Sequence, residues 1–462
     1  MSLDPPTYHL LSHFSMDVFG RNAYALRLPA LCGFLLLEWA IFSLVRRIAS
    51  ERAALVAMLF PTLTASFRYA SEGRPYGWLL GLYAAALACW FAASQARDAA
   101  QPRSRLLPLL GLGVAILLAI TSHYFGVLIL VPVTLGELVR VRERRRFDWP
   151  VLLVGAGALI AGIVILLPFQ KALAPYRAHY YITTVSVRAI SQGFRELFVH
   201  YNQWPLKLQH VLALLLLVAT IALLAASWKR YRARPDTEPA YLWASMLGLA
   251  ALPFFSFLFG RFVTHTMEVR YVIAAVIPFL VAIALLLERR LQQRTFFYGT
   301  LAVLILLSLI VNGERILQDA HERATMLASF EPSPLLHDAL AANPTQKLYT
   351  QSLNDFFLNS YYMPDRDIAS RLSLVYDEPR EVHWLEHNTN AVTAIYMQHY
   401  AHLDVTPYCS FLAQPHALLL FYNSGWEWIG KELNAAKVPQ SSLGITLRGA
   451  LLQTAAQPCT SR

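Results

Sequence analysis

The chain has 462 residues, 56% of them apolar, with a mean hydropathy of +0.41 and a formal net charge of +10. That apolar content excludes a soluble multidomain protein and fits a polytopic membrane chain. The positive charge does not point to nucleic acid, because its densest clusters sit in short gaps between apolar stretches, where Lys and Arg hold a loop on the cytoplasmic side of a membrane.

In chain order, Asp4-Pro5-Pro6-Thr7-Tyr8 precedes the first apolar stretch and Leu26-Arg27-Leu28-Pro29 enters it. A helix needs roughly 20 apolar residues to cross the hydrocarbon core, and spans are expected at 25–45, 53–70 and 77–94. Leu106 to Leu138 would measure about 50 Å as one helix, too long for a bilayer, so it divides near Ser122, His123 and Tyr124. Five further spans at 149–169, 208–228, 239–259, 271–287 and 295–311 bring the expected number to about ten. Glu38 is the only acid well inside a span; an ionised carboxylate there would cost about 3 kcal/mol on insertion scales, which favours a hydrogen-bonded or protonated structural acid.

The gaps between spans alternate in charge. Arg46/Arg47/Arg52, Arg97/Arg103/Arg105, Arg140/Arg142/Arg144/Arg145/Arg146, Lys229/Arg230/Arg232/Arg234 and Arg289/Arg290/Arg294 form the basic set. The gaps between them carry Asp4, Glu72, Arg74, His123, Tyr180, Tyr181, Glu268 and Arg270. The alternation predicts that both ends of the chain lie outside and that every residue with plausible chemistry faces outward.

The loop Gln170 to Lys207 is rich in aromatic residues, and Ile190, Phe194, Leu197, Phe198 and Tyr201 recur at spacings of three and four. That stripe predicts an amphipathic helix at the interface, either roofing a lipid-facing cavity or serving as an aromatic anchor. Beyond residue 313 the spans stop. Short apolar runs at 394–397 and 417–422 alternate with an amphipathic run at 426–436, so the organisation expected is a transmembrane domain at 1–312 and a small extracytoplasmic α/β domain at 313–462. Trp426 and Trp428 follow Asn423-Ser424-Gly425 as in a strand, turn and helix, with the indoles packing on a sheet. Cys32 and Cys89 lie in spans without metal-ligand spacing, and no metal or other cofactor is expected. Cys409 and Cys459 are the tail's only cysteines and are expected to form a disulfide in an outer, oxidising compartment.

Taken together, Asp4-Pro5-Pro6, Leu26-Arg27-Leu28-Pro29 and Ser71-Glu72-Gly73-Arg74-Pro75-Tyr76, in this order, resemble the GT-C type membrane glycosyltransferases of the family 39-like group, which includes protein mannosyltransferases and aminoarabinose transferases. His123-Tyr124-Phe125 and Arg270-Tyr271 also look like family positions, so the resemblance extends over roughly residues 1–290. It implies a polytopic α-helical fold and a sugar donor on a polyprenyl phosphate, with a lipid, glycan or protein acceptor at the outer face of a bacterial inner membrane. On that reading Asp4 and Glu72 are the candidate catalytic carboxylates. Arg74 and Arg270 bind the donor phosphate, and Tyr76, His123, Tyr124, Tyr180, Tyr181 and Tyr271 border the substrate pocket. In the family the catalytic Asp follows a first transmembrane helix upstream of the Pro-Pro motif; the chain starts beyond that point, and an incomplete N-terminus is the expected explanation. Two other classes stay open: a transporter or lipid flippase, and a noncatalytic membrane scaffold. The spans show no repeated halves or paired broken helices of the kind transporters use.

Overall fold

The computed structural model describes residues 5–99, 102–173, 239–422, 428–445 and 449–459, together with 185–188, 190, 193 and 211. The chain divides into two compact units, one of residues 2–171 and 183–313, the other chiefly of residues 314–462.

In the first unit, α1 (Pro6–Phe19) begins on a proline, whose missing N–H is no loss in a first turn. α2 (Ala23–Ile48) starts where the Asn22 side chain accepts from the N–H groups of Tyr24 and Ala25 at 3.0 and 2.9 Å. It pairs with α4 (Tyr76–Asp98) through small residues. A Cβ on Gly33 would lie 2.2 Å from the Trp78 Cα, and one on Gly81 would lie 2.0 Å from the Gly33 carbonyl oxygen. Gly77 and Gly81 thus form a small-residue seam that lets the two backbones touch.

Near the other end of the same pair, Arg47 donates to Gln95 at 3.4 Å. α2 and α4 are therefore parallel, and residues 49–75 must return along the unit. They do so as α3 (Glu51–Leu59) followed by two 3₁₀ turns, Phe60–Leu63 and Ala65–Ala70. The single span expected at 53–70 is thus a broken one. Pro61 cannot donate, and the hydroxyls of Thr62 and Thr64 bond the Leu59 and Pro61 carbonyls at 2.7 and 2.9 Å.

Among the described residues seven helical segments are long and apolar enough to cross a membrane: Ala23–Ile48, Tyr76–Asp98, Arg103–Ser122, Tyr124–Arg144, Trp149–Lys171, Val269–Leu291 and Arg294–Ala328. An eighth span results if α8 (Ala240–Ala250) and the stretch from α9 (Leu252–Phe259) to Thr264, bent by 53°, count as one. The helices that make up the later spans are α5 (Pro102–Ser122), α6 (Leu130–Arg144), α7 (Trp149–Leu173), α10 (Ile277–Leu291) and α11 (Arg294–Ala328). The span expected at 208–228 and nearly all of the amphipathic helix expected from Arg188 to Tyr201 lie outside the described residues, as does the basic gap Lys229–Arg234. The polytopic helical fold read from the sequence is borne out.

The other basic gaps meet at one end of this unit. Arg52 bonds the carbonyls of Leu291 and Gln292, and Arg97 bonds that of Phe147 at 3.0 Å. Arg140 is not a loop charge, as its cluster suggested, but the centre of a buried network. Its guanidinium, 2% exposed, donates to Asp148 at 2.6 Å, Glu137 at 3.1 Å, Asp98 at 3.0 Å and the Ser94 carbonyl at 3.2 Å. Trp90 donates to Glu137 at 2.7 Å, Tyr241 bonds Asp98 at 3.3 Å, and Arg97 and Arg105 both reach Asp148. Burial pushes the Asp148 carboxyl up, but hydrogen bonds from Arg105, Arg140 and Arg97 outweigh it and hold the group at about 2. α4, α5, α6, α7 and α8 are tied together at this end by charge.

The second unit carries a six-stranded sheet in the order β3-β2-β1-β4-β6-β5, with β1 (Leu348–Thr350), β2 (Leu372–Tyr376), β3 (Val405–Pro407), β4 (Ala417–Tyr422), β5 (Gln440–Ile445) and β6 (Gly449–Thr454). The first four are parallel, in register Leu348↔Leu372, Leu348↔Leu418 and Leu374↔Val405, and β4, β6 and β5 are antiparallel. Parallel strands are covered on both faces. Leu348, Leu372, Leu374, Leu418 and Leu420 pack with Leu336, Leu340 and Phe356 on one side, and Tyr349, Val375 and Leu419 pack with Tyr408, Phe411 and Trp428 on the other. Trp428 is fully buried and packs 5.5 Å from Tyr408, as its place after the strand predicts; Trp426 lies outside the described residues. The run 394–397 belongs to the helix Thr389–Ala401, not to a strand. Cys409 and Cys459, Cα atoms 5.2 Å apart, form the expected disulfide.

Candidate active site

At the end of the membrane unit opposite the basic network, three connections replace regular helix and bring polar side chains together. The division expected near His123 is real. His123 is extended (φ −160°, ψ 140°) and opens the 3₁₀ turn Tyr124–Ile129, its Nδ1 accepting the Phe125 N–H at 3.2 Å. That bond fixes the ring and leaves Nε2 as the nitrogen that carries the hydrogen. The turn fits only because residue 126 is glycine, since a Cβ there would lie 2.0 Å from the Ala119 carbonyl oxygen.

A second connection, the 3₁₀ segment Val269–Val276, carries Arg270 and Tyr271. A third, Ser71 to Pro75, leads into Tyr76 at the start of α4. Their side chains form one aromatic group. The His123 ring lies 4.8 Å from Tyr271 and 5.6 Å from Tyr76, Tyr76 and Tyr271 are 6.2 Å apart, and Phe125 lies 4.4 Å from Tyr271. The Arg270 guanidinium carbon sits 5.6 Å from the Tyr76 ring and 5.8 Å from the Tyr271 ring, a cation lying against both rings. Its Nε is buried and has no hydrogen-bond partner.

The N-terminal motifs also meet. Ser15 of α1 bonds the Ala25 carbonyl at 2.7 Å, and a Cβ on Gly73 would contact Leu26 at 3.1 Å, so the 71–75 loop lies on the entry to α2. Glu72 pairs with Arg68 at 2.8 Å, not with Arg74, and its Oε2 is buried without a partner. Burial, and then the Glu72 charge, push the Tyr8 hydroxyl up to about 12. Arg74 is exposed and makes no ion pair among the described residues.

Of the residues singled out from the sequence, the structure therefore brings Tyr76, His123, Arg270 and Tyr271 into one cluster. Glu72 lies beside Tyr8 and Arg68, and Tyr124 is half-buried against the unit's apolar core. Asp4, Tyr180 and Tyr181 lie outside the described residues. Arg68 and Phe125 were not assigned roles; the signal for Arg68 was its spacing four residues before Glu72 at the end of a stretch read as a span. Among the described residues no group of three or more His, Cys, Asp or Glu could hold a metal ion. A cavity of about 240 Å³ lies between α6 and α7 toward the basic end, away from this cluster.

Residues 4–169 match the family model described as dolichyl-phosphate-mannose-protein mannosyltransferase. The crystal structure of ArnT from Cupriavidus metallidurans in the apo state is 14% identical and superposes with a TM-score of 0.57, covering 97% of this chain and 87% of that one. ArnT from the same organism bound to undecaprenyl phosphate is also 14% identical, with a TM-score of 0.46 and coverage of 99% and 89%. A comparison with curated proteins finds no match. Family model and whole-chain superposition agree with the order of the N-terminal motifs: the chain has the GT-C type membrane glycosyltransferase fold.

Proposed function

We propose that the chain is a membrane glycosyltransferase that moves a sugar from a polyprenyl-phosphate donor to an acceptor at the outer face of a bacterial inner membrane. The observation that carries this is Arg270, lying against the Tyr76 and Tyr271 rings beside His123 with a buried guanidinium nitrogen unspent. A family model described by a dolichyl-phosphate-linked sugar supports the donor class. In the reaction an acceptor hydroxyl or amine attacks the anomeric carbon, the bond from that carbon to the phosphate oxygen breaks with its electrons going to the phosphate, and the acceptor proton passes to a carboxylate. Arg270 meets the charge developing on the phosphate, in a partly dry place where it acts strongly. Arg74 adds a second, exposed cation. Glu72, with Oε2 free of partners, or Asp4 receives the proton. Tyr76, Tyr271 and His123 offer flat faces to the sugar, with Tyr124, Tyr180 and Tyr181 at the border of the pocket.

The test is transfer from a panel of polyprenyl-phosphate sugars in proteoliposomes, read as acceptor-dependent release of polyprenyl phosphate. Release that is abolished by Arg270→Ala supports the assignment. Release at the parental rate in Arg270→Ala would overturn it.

A further inference from the structure

The cavity between α6 and α7 belongs to neither the aromatic cluster nor the interior of the charge network, and its lining has a particular chemistry. On α6 it is bounded by Thr134, Glu137 and Leu138, and on α7 by Leu152, Gly155 and Ala156. The small pair Gly155 and Ala156 makes the space, and a Cβ on Gly155 would meet nothing within 4 Å. At about 240 Å³ it exceeds the roughly 150 Å³ apolar cavity that accommodates benzene. Leu138 and Leu152 are exposed on the helix surfaces beside it, so it opens sideways, where acyl chains would lie.

An apolar groove alone selects nothing. Glu137 does the selecting: the residue is 3% exposed, its Oε1 accepts from Trp90 at 2.7 Å and Arg140 at 3.1 Å, and its Oε2 is buried without a partner. Leaving a buried anionic oxygen without a donor is costly. No basic side chain of the described residues lines the cavity, so a donor has to come from outside. Glu137 lies two turns, about 10 Å, before the end of α6, near the boundary of head groups and acyl chains. The exposed Arg142 and Arg145 follow it.

We propose that this cleft is a binding site for a membrane phospholipid with an ammonium head group, the ammonium donating to Glu137, an acyl chain filling the space beside Gly155 and the phosphate turned toward Arg142 and Arg145. An ionised donor makes a stronger bond to a carboxylate than a hydroxyl does. A lipid whose head group carries only hydroxyl donors should therefore compete poorly. The site stands apart from the glycosyl-transfer reading and does not depend on it.

Full-length protein in delipidated detergent micelles, titrated with phosphatidylethanolamine or phosphatidylglycerol and weighed intact by native mass spectrometry, tests the site. One retained phosphatidylethanolamine is expected, with at least tenfold lower occupancy by phosphatidylglycerol. Gly155→Leu fills the cavity without touching the charge network and should lower phosphatidylethanolamine occupancy at least tenfold, while Glu137→Gln should erase the preference between the two lipids. If Glu137→Gln does not fold, Gly155→Leu decides alone. Equal retention of both lipids, retention of neither, or unchanged binding in Gly155→Leu would each overturn the proposal.

Discussion

The two ends of the membrane unit use charge in opposite ways. At the basic end, Arg97, Arg105, Arg140 and Arg144 meet Asp98, Glu137 and Asp148, and each of these side chains has at least one ion-pair partner within the protein, although Arg105 Nε, Arg140 Nε and Glu137 Oε2 are buried without one of their own. At the aromatic end, Arg270 keeps a buried nitrogen unspent, Glu72 keeps a buried oxygen unspent, and Arg74 is exposed with no ion pair among the described residues. A charge whose partners are all internal holds helices together. One left unsatisfied in a half-dry place is arranged for something that arrives, at a standing cost to the fold. Judged by ion pairing, the basic end is architecture and the aromatic end is the place to look for chemistry; of the basic end's unsatisfied atoms, Arg105 Nε, Arg140 Nε and Glu137 Oε2, the last lines the cavity that the lipid proposal addresses.

The largest expected effect tests the architectural half. Arg140→Ala leaves Asp98, Glu137 and Asp148 short of their shared cation and should destabilise the protein by about 3–5 kcal/mol. Thermal unfolding in detergent reads this directly. A midpoint within a degree of the parent would mean that the network is ornamental and the contrast between the ends is false. Next in size, Arg270→Ala should leave the unfolding midpoint nearly unchanged while lowering the transfer rate roughly 10²–10³-fold, the loss typical when one preorganised charge-stabilising donor is removed. A destabilisation comparable to that of Arg140→Ala, without a selective loss of rate, would move Arg270 into the architectural class.

The pH dependence separates the ends more finely. The folded-state Asp148 carboxyl sits at about 2, below its ordinary value, so the stability it contributes is present above about pH 4 and is lost as the pH falls toward 2. The stability difference between the parent and Asp148→Asn should accordingly be greatest at neutral pH and narrow as the solution is acidified through that window. A difference that stays constant from pH 6 to pH 2.5 would show that Asp148 is not held ionised by Arg105, Arg140 and Arg97.

How much of this contrast is visible in the sequence depends on whether it rests on pattern or on pairing. The basic gaps announce a common end because loop charge and span alternation are one-dimensional signals, and Arg52, Arg97 and Arg140 do gather there. The burial of Arg140 is not visible, since nothing in a run of five arginines says which one turns inward to Asp98, 42 residues away. The same reasoning explains Glu72. Its pairing with Arg68 was hidden because residues 53–70 carry the hydropathy of a span, whereas the break at Pro61 and Thr64 makes the last part 3₁₀. Tyr76, His123, Arg270 and Tyr271 were legible as a set only through the order of the motifs. Their distances depend on three irregular connections, one of which closes only because Gly126 lacks a Cβ. In the second unit, the apolar run 417–422 did mark β4, but 394–397 was drawn into a helix by its flanks, and the short strands β1 and β2 gave no separate signal.

The smallest effect is also the sharpest probe of the boundary at the aromatic end. Arg74 is two residues from Tyr76, yet it is exposed and makes no ion pair among the described residues. An exposed cation acts on an incoming phosphate through water and salt, over a screening length of about 8–10 Å at physiological ionic strength. It guides and concentrates the anionic donor more than it stabilises the charge formed when the bond breaks. Arg74→Ala should therefore raise KM for the polyprenyl-phosphate donor by no more than about tenfold, leave kcat close to the parent value, and show a smaller penalty as salt is raised. Arg270→Ala should show the opposite division, with the loss in kcat and little sensitivity to salt. If Arg74→Ala lowered kcat as Arg270→Ala does, Arg74 would have to turn inward when the donor binds, and the division between a buried clamp at Arg270 and an exposed guide at Arg74 would fail.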